Sequence, residues 1–140
     1  MGIERIPGPA TASYSDAVAV DAPGGRWIFV SGQLPLDENA TIDSTDLGEQ
    51  TDTCLDHVER ILASQGARLA DVIRITAYLT SLDDYAAYTT RRKQRFGDAL
   101  PASATVQVAG LLGGALIEID AIAFVASGAG STELNSTIPS

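Results

Sequence analysis

An acidic residue, Glu118, lies within the strongly apolar segment ALIEIDAIAF. In a strand, where alternate residues share a face, its neighbours on that face would be Leu116, Asp120, Ile122 and Phe124. Burying an unpaired carboxylate is costly, so such a residue has a partner, is protonated or faces a wet cleft. Glu118 is therefore a candidate general base, with an exposed acid at a sheet edge as the alternative.

The segment LPASATVQV, residues 100–108, has no ionisable side chain. It places two small hydroxyl residues, Ser103 and Thr105, near the start of a predicted strand. Two interpretations are open: the hydroxyls form the polar side of a strand, or they line a ligand pocket that lacks a charge.

Cys54 and His57 are the single cysteine and the single histidine. Cys54 falls on an apolar helical stripe, which favours a small core residue over a nucleophile, because reactive thiols need accessible, electropositive surroundings. His57 lies off that stripe and has no Cys or His partner at ligand spacing, which favours a solvated side chain over a metal ligand. No zinc, phosphate-loop or dinucleotide motif is present, and we predict no metal site.

The chain carries nine Lys and Arg against eighteen Asp and Glu, a formal charge of −9. This argues against nucleic acid as a partner, because phosphate binding needs clustered cations. The one basic cluster, Arg91, Arg92, Lys93 and Arg95, is interpreted as the solvated last turns of a helix.

No apolar run reaches the ~18 residues that a membrane span needs, and no secretory signal pattern opens the chain. A single cysteine fits a reducing compartment. We therefore expect a cytoplasmic protein without membrane association.

Hydrophobic periodicity predicts the order strand, strand, helix, strand, helix, strand, strand. Residues 1–13 are predicted to be irregular, and residues 1–127 to form one domain followed by a disordered tail, 128–140. The predicted strands are 16–20, 26–31, 71–80, 104–108 and 116–126, and the helices are 45–65 and a second that opens at 83–84.

This pattern is an α+β sheet with two helices, and the strands carry apolar residues on both faces. Helices on one face leave the other face wet in a monomer. The sequence therefore predicts a homo-oligomer whose subunits cover that second face.

Five segments resemble the RidA/YjgF family of small imine deaminases: YSDAV at 14–18, IFVSGQLP at 28–35, DVIRITAYLTSLDDY at 71–85, LPASATVQVAGL at 100–111 and ALIEIDAIA at 115–123. The resemblance implies a chorismate-mutase-like fold: a mixed sheet with two helices on one face, assembled as a homotrimer around a central β-barrel. It implies substrate clefts between subunits and hydrolysis of 2-imino acids and their enamine precursors to 2-keto acids and ammonia. It also implies that no cofactor is needed.

The resemblance also implies roles for individual residues. Tyr14 corresponds to a tyrosine of the cleft, Ser31 and Gly32 to the backbone segment that lines it, and Glu118 to the acid that positions or activates water. Glu118 and Tyr14 are therefore the candidate catalytic residues, and Ser31 and Gly32 are candidate substrate-binding residues.

Ser103 and Thr105 complete that set, but they depart from the family pattern. The position of Ser103 is that of an arginine whose guanidinium holds the substrate carboxylate, and Thr105 replaces a frequent cysteine. The resemblance therefore implies that PASATV is a pocket wall whose fixed cation has been removed.

Two functions follow. The first is a Rid-like enzyme that hydrolyses or tautomerises an imine or enamine lacking the usual small carboxylate, by analogy a tailoring enzyme of specialised metabolism. The alternative is a non-catalytic trimer that binds a small molecule or regulates. A ribonuclease is disfavoured by the acidic composition.

Overall fold

The computed structural model describes residues 2–127; the tail predicted to be disordered, 128–140, lies outside the described residues. Six strands and two α-helices follow one another along this part of the chain. In chain order they are β1 (Ile3–Pro7), β2 (Ser15–Ala22), β3 (Gly25–Gln33), α1 (Leu47–Ala63), β4 (Val72–Leu79), α2 (Tyr85–Phe96), β5 (Ala102–Gln107) and β6 (Ile117–Ala126).

The strands form one mixed sheet in the order β1-β2-β3-β6-β4-β5. All neighbours are antiparallel except β4 and β5, which are parallel and joined through α2. Both helices pack on the same face, so the predicted α+β fold with two helices on a mixed sheet is confirmed.

The prediction that residues 1–13 are irregular is wrong in part, because Ile3–Pro7 forms the edge strand β1. It pairs antiparallel with β2, with Ile3 opposite Val20. Four of its five residues are exposed, and only Ile6 is partly buried against the core. An edge strand with so little burial carries no apolar alternation, and backbone pairing alone defines it.

The other elements follow their sequence signals. Gly24, with φ of +87°, makes the turn that joins β2 and β3 in a hairpin between the two predicted strands. Asp46 caps α1 by accepting a hydrogen bond from the Glu49 amide at 2.9 Å. Gly66, with φ of +74°, follows the end of α1, where the sequence places it.

The core lies between the helices and one face of the sheet. The largest fully buried side chains of this layer come from α1, α2, β3, β4 and β6: Tyr88, Ile28, Leu55, Ile61, Leu62, Ile75, Leu79, Ile117, Ile119 and Val58. In β4, strict alternation predicts that Ile73 shares a face with Ile75, Ala77 and Leu79. This prediction is wrong for Ile73, because a register shift next to β6 buries Val72 and leaves Ile73 44% exposed.

The second face of the sheet is not covered within the protomer. Phe29 is 44% exposed there and lies opposite Ile122 of β6. Trp27 and Phe124 stack edge to face on it, with ring centroids 4.9 Å apart. This face thus combines apolar side chains with exposure, as a surface buried by other subunits does. Among residues 2–127, neither helix has the length and apolarity to cross a membrane.

Candidate functional site

The Glu118 carboxylate lies directly on the backbone of Gly32. Pairing between β3 and β6 shifts register between Val30 and Gln33, so Gly32 lies in an irregularity of β3. A Cβ atom built on Gly32 would lie 1.9 Å from Glu118 Oε2. The glycine is therefore required for this approach, because any side chain would displace the carboxylate.

Glu118 lies on the sheet face away from the helices, half-buried. Burial raises the pKa of the Glu118 carboxyl, and the nearby Asp120 raises it further. Asp120 itself accepts a hydrogen bond from the Tyr78 hydroxyl at 2.8 Å. No residue from 2 to 127 donates a hydrogen bond to Glu118 in this structure. The carboxylate is thus free to bind water or substrate and to move a proton.

Tyr14 and Gly32 line one open depression of about 510 Å³. The Tyr14 side chain is 59% exposed. Ser31 acts differently from its neighbours: its hydroxyl donates to the Ser15 carbonyl at 2.6 Å and ties the end of β3 to the segment that carries Tyr14. The structure therefore brings Tyr14, Ser31 and Gly32 together, with Glu118 against Gly32.

His57 lines the same depression. The prediction that its side chain is solvated is wrong. Its Nε2–H donates to the Leu36 carbonyl at 2.7 Å, and the ring is half-buried. The partner is a backbone carbonyl in a loop 21 residues away, so no side-chain pattern could have revealed it.

Ser103 and Thr105 line a second open depression, of about 550 Å³, together with Leu82, Tyr85 and Arg92. Arg92 Nη1 donates to Ser103 Oγ at 2.9 Å. The expectation of a pocket wall without a cation is therefore wrong, because α2 places a guanidinium beside the serine. Sequence reasoning missed this because the two residues are 11 positions apart on different elements.

Arg92 is held by the ring of Tyr88, one helical turn earlier. The guanidinium carbon lies 5.0 Å from the ring centroid, and Nη1 lies 3.5 Å from the hydroxyl. Burial raises the pKa of the Tyr88 phenol, while Arg92 and the Ser103 and Thr105 hydroxyls oppose that rise. The phenol thus belongs to the same polar cluster as Arg92, Ser103 and Thr105.

The prediction that the basic cluster of α2 is a solvated helix end is wrong. Arg91 forms an ion pair with Asp52 of α1, and Arg95 contacts Asp52 at 3.4 Å and Asp56 at 2.9 Å. These cations join the two helices, while Arg92 faces the depression.

The six predicted site residues fall on two faces of one protomer. Ser103 pairs with Ile75, whose side chain is buried beneath the helices. Glu118 pairs with Tyr78, whose side chain lies on the opposite face. Because neighbours in register share a face, Ser103 and Glu118 lie on opposite sides of the sheet. A single protomer does not bring them together.

Cys54 is a core residue, which confirms the prediction. It is fully buried, its Sγ lies 3.8 Å from the Ile117 carbonyl, and burial raises the pKa of the thiol. Among residues 2–127, no group of three His, Cys, Asp or Glu side chains has a metal-binding arrangement.

Comparisons with known proteins agree with this architecture. Residues 5–125 match the family model described as Endoribonuclease L-PSP. A RutC family protein of Pyrococcus abyssi is 38% identical over 86% of this chain and 92% of its own length. The 2-iminobutanoate/2-iminopropanoate deaminase of Capra hircus is 35% identical over 81% of each chain. The crystal structure of RidA from an Antarctic Psychrobacter species has a TM-score of 0.76 and 29% identity, covering 89% of this chain and 99% of the other.

Proposed function

From the premise that this chain belongs to the RidA/YjgF family, we propose that it is an enzyme that hydrolyses the carbon–nitrogen double bond of a small imine or of its enamine tautomer. The deaminase relatives act on 2-iminobutanoate and 2-iminopropanoate by name. Membership of the family supports this class of reaction. The catalytic step itself requires a group in this chain that can transfer a proton.

One observation carries the proposal: a half-buried carboxylate, Glu118, with no hydrogen-bond donor among residues 2–127, rests against a glycine that leaves space for it. Burial and Asp120 raise its pKa toward the range in which a carboxyl exchanges protons near neutral pH. A carboxylate kept only for stability would have a donor or a cationic partner.

In the proposed reaction, Glu118 accepts a proton from a water molecule as the water oxygen bonds to the imine carbon. The substrate is the protonated imine, so its C=N π electrons neutralise the nitrogen, and a neutral carbinolamine results. Glu118 then returns its proton to that nitrogen, the C–N bond breaks, and the hydroxyl proton of the carbinolamine passes to the departing ammonia as the carbonyl forms. The products are a keto compound and ammonium, and Glu118 ends as it began.

The complete cleft we propose lies between two protomers of a homotrimer. Ser103, Thr105 and Arg92 of one protomer would face Tyr14, Gly32 and Glu118 of its neighbour. Two features support this: one protomer holds the two groups on opposite faces of its sheet, and its second face exposes apolar side chains such as Phe29. The sheet faces would then close on one another, as in the barrel that the family resemblance implies.

Imine hydrolysis in the presence of wild-type protein and of Glu118→Gln tests this function. 2-Iminobutanoate is generated in situ by an amino acid oxidase, and the release of 2-oxobutanoate is compared with the uncatalysed rate. We expect acceleration by the wild type and loss of that acceleration in Glu118→Gln. The oligomeric state, measured by light scattering, should be the same in both.

Equal rates for the two proteins would remove Glu118 from the mechanism. No acceleration by the wild type, of either 2-iminobutanoate or an uncharged imine, would leave the non-catalytic binding protein as the better account.

A further inference from the structure

Arg92 differs from its arginine neighbours on α2 because it has no acidic partner. Arg91 and Arg95 both contact Asp52 of α1. Within residues 2–127, no carboxylate forms an ion pair with Arg92. In a chain with twice as many acids as bases, an arginine without an acid is available for an anion from outside.

The guanidinium of Arg92 is nevertheless held in place. Tyr88 packs its ring against it at 5.0 Å, and Ser103 Oγ accepts from its Nη1 at 2.9 Å. These contacts restrict a long side chain before any ligand arrives. Less conformational entropy is then lost on binding, which favours affinity.

Unused hydrogen-bond donors remain at this point. A guanidinium has five N–H groups, and the contacts with Ser103 Oγ and the Tyr88 hydroxyl both use Nη1, which leaves Nε and Nη2. Because the Ser103 oxygen accepts that bond, Arg92 does not use the hydroxyl hydrogen of Ser103. Thr105 adds a second hydroxyl, and both open onto the depression that Arg92 lines. A planar carboxylate matches such a set, since it accepts two parallel bonds from a guanidinium.

We propose that Arg92 is the substrate-binding residue that holds a carboxylate, so that this chain keeps, through a different arginine, the carboxylate-bearing substrates that the family resemblance implies. This rests on the proposed function. The family resemblance places that arginine at position 103, on the strand; here the helix provides the guanidinium and the serine supports it. An arginine at position 103 would meet Arg92, because Ser103 Oγ lies only 2.9 Å from Nη1.

Equilibrium binding of two nearly isosteric probes, 2-oxobutanoate and 2-oxobutanamide, tests the proposal on the intact protein by NMR titration. We expect the carboxylate to bind wild-type protein about tenfold or more tightly than the amide. Arg92→Gln should lose about tenfold to a hundredfold in affinity for the carboxylate and little for the amide.

Lys93→Gln is the matched control, because it removes one positive charge from the next, exposed position of the same helix. It should leave both affinities within about twofold, since a solvated charge is screened. An equal loss in Lys93→Gln and Arg92→Gln would show that net charge alone attracts the anion and would overturn the proposal.

A relocated cation provides a second, independent readout. The double variant Arg92→Ser with Ser103→Arg moves the guanidinium from helix to strand at constant net charge and should recover carboxylate binding. Arg92→Lys, which keeps the charge but not the fork, should bind between wild type and Arg92→Gln. If Arg92→Gln does not fold, the double variant and Arg92→Lys test the proposal. Failure of both to bind the carboxylate would contradict it, and so would wild-type affinity in both.

The two proposals fail separately. Carboxylate binding that depends on Arg92, without any imine turnover, refutes only the catalytic function. Turnover of 2-iminobutanoate that Arg92→Gln leaves unchanged, or the absence of a preference for the carboxylate in the wild type, refutes only the role of Arg92.

Discussion

Glu118 occupies the space that a side chain at position 32 would fill, with its Oε2 atom 1.9 Å from the ideal Cβ position of Gly32. The two residues lie on different strands, β3 and β6, at a point where their register shifts. The position of the proposed base therefore depends on the absence of a single methyl group.

We expect Gly32→Ala to lower kcat for imine hydrolysis by about tenfold or more, because the displaced carboxylate no longer reaches the attacking water. The free energy of unfolding should change little, because the atoms that must move belong to the flexible side chain of Glu118. Gly110→Ala is the control, because its Cβ would meet nothing within 4 Å. Wild-type turnover in Gly32→Ala would separate this contact from catalysis.

The pH dependence of turnover should report the raised pKa of Glu118. A general base must be ionised, so kcat/KM should fall as pH is lowered through that pKa, which lies above the ordinary 4.5 of a glutamate. Asp120→Asn should move this acid limb to lower pH, because it removes one of the two causes of the rise. The shift should be partial, since burial is the larger cause.

The exposed Asp83→Asn is the control for Asp120→Asn and should leave the pH profile of kcat/KM in place. An acid limb that stays at the same pH in Asp120→Asn would mean that another group controls the rate.

Glu118 should cost stability at neutral pH. Between its unfolded pKa of about 4.5 and its raised folded pKa, the native state holds a proton that the unfolded chain releases, so stability falls as pH rises through that window. Glu118→Gln should therefore resist urea at pH 7 as well as or better than wild type. The measurement is the difference in the free energy of unfolding between Glu118→Gln and wild type, which should favour the variant more at pH 7 than at pH 4. A Glu118→Gln protein that is less stable than wild type only at pH 7 would contradict a raised pKa.

The uncovered sheet face should determine assembly. Phe29→Asp places a charge among apolar side chains, opposite Ile122, and should convert the proposed trimer to monomers with loss of turnover. Ala70→Asp adds the same charge at an exposed residue beyond α1 and should leave the trimer intact. Sedimentation velocity measures both, and a Phe29→Asp protein of unchanged mass would place the subunit contacts elsewhere.

The Cys54 thiol should be unreactive until the protein unfolds. It is fully buried, and burial raises its pKa, so little thiolate forms near neutral pH. Labelling with a chromogenic disulfide reagent should follow the urea unfolding transition. Rapid labelling in native buffer would show that the core between α1 and β6 opens readily.

Most of the fold was readable from the sequence because it depends on local periodicity. The apolar stripe of α1, the alternation in β4 and β6, and the glycines at 24 and 66 specify their elements from within a few residues. β1 was missed because an exposed edge strand needs only backbone pairing. The face of Ile73 was wrong because a register shift belongs to a pair of strands.

The candidate site divides in the same way. Glu118 stood out by itself, since one carboxylate in an apolar strand is costly wherever the chain takes it. Its space beside Gly32, the anchoring of His57 on Leu36, and the guanidinium that Arg92 brings to Ser103 each join residues of different elements. Side-chain types and their spacing determined which elements form and which residue is out of place in them. Only the packing of those elements decided that a guanidinium, that of Arg92, lies beside the Ser103 hydroxyl. A distance between two elements is a property of the tertiary structure and not of either segment.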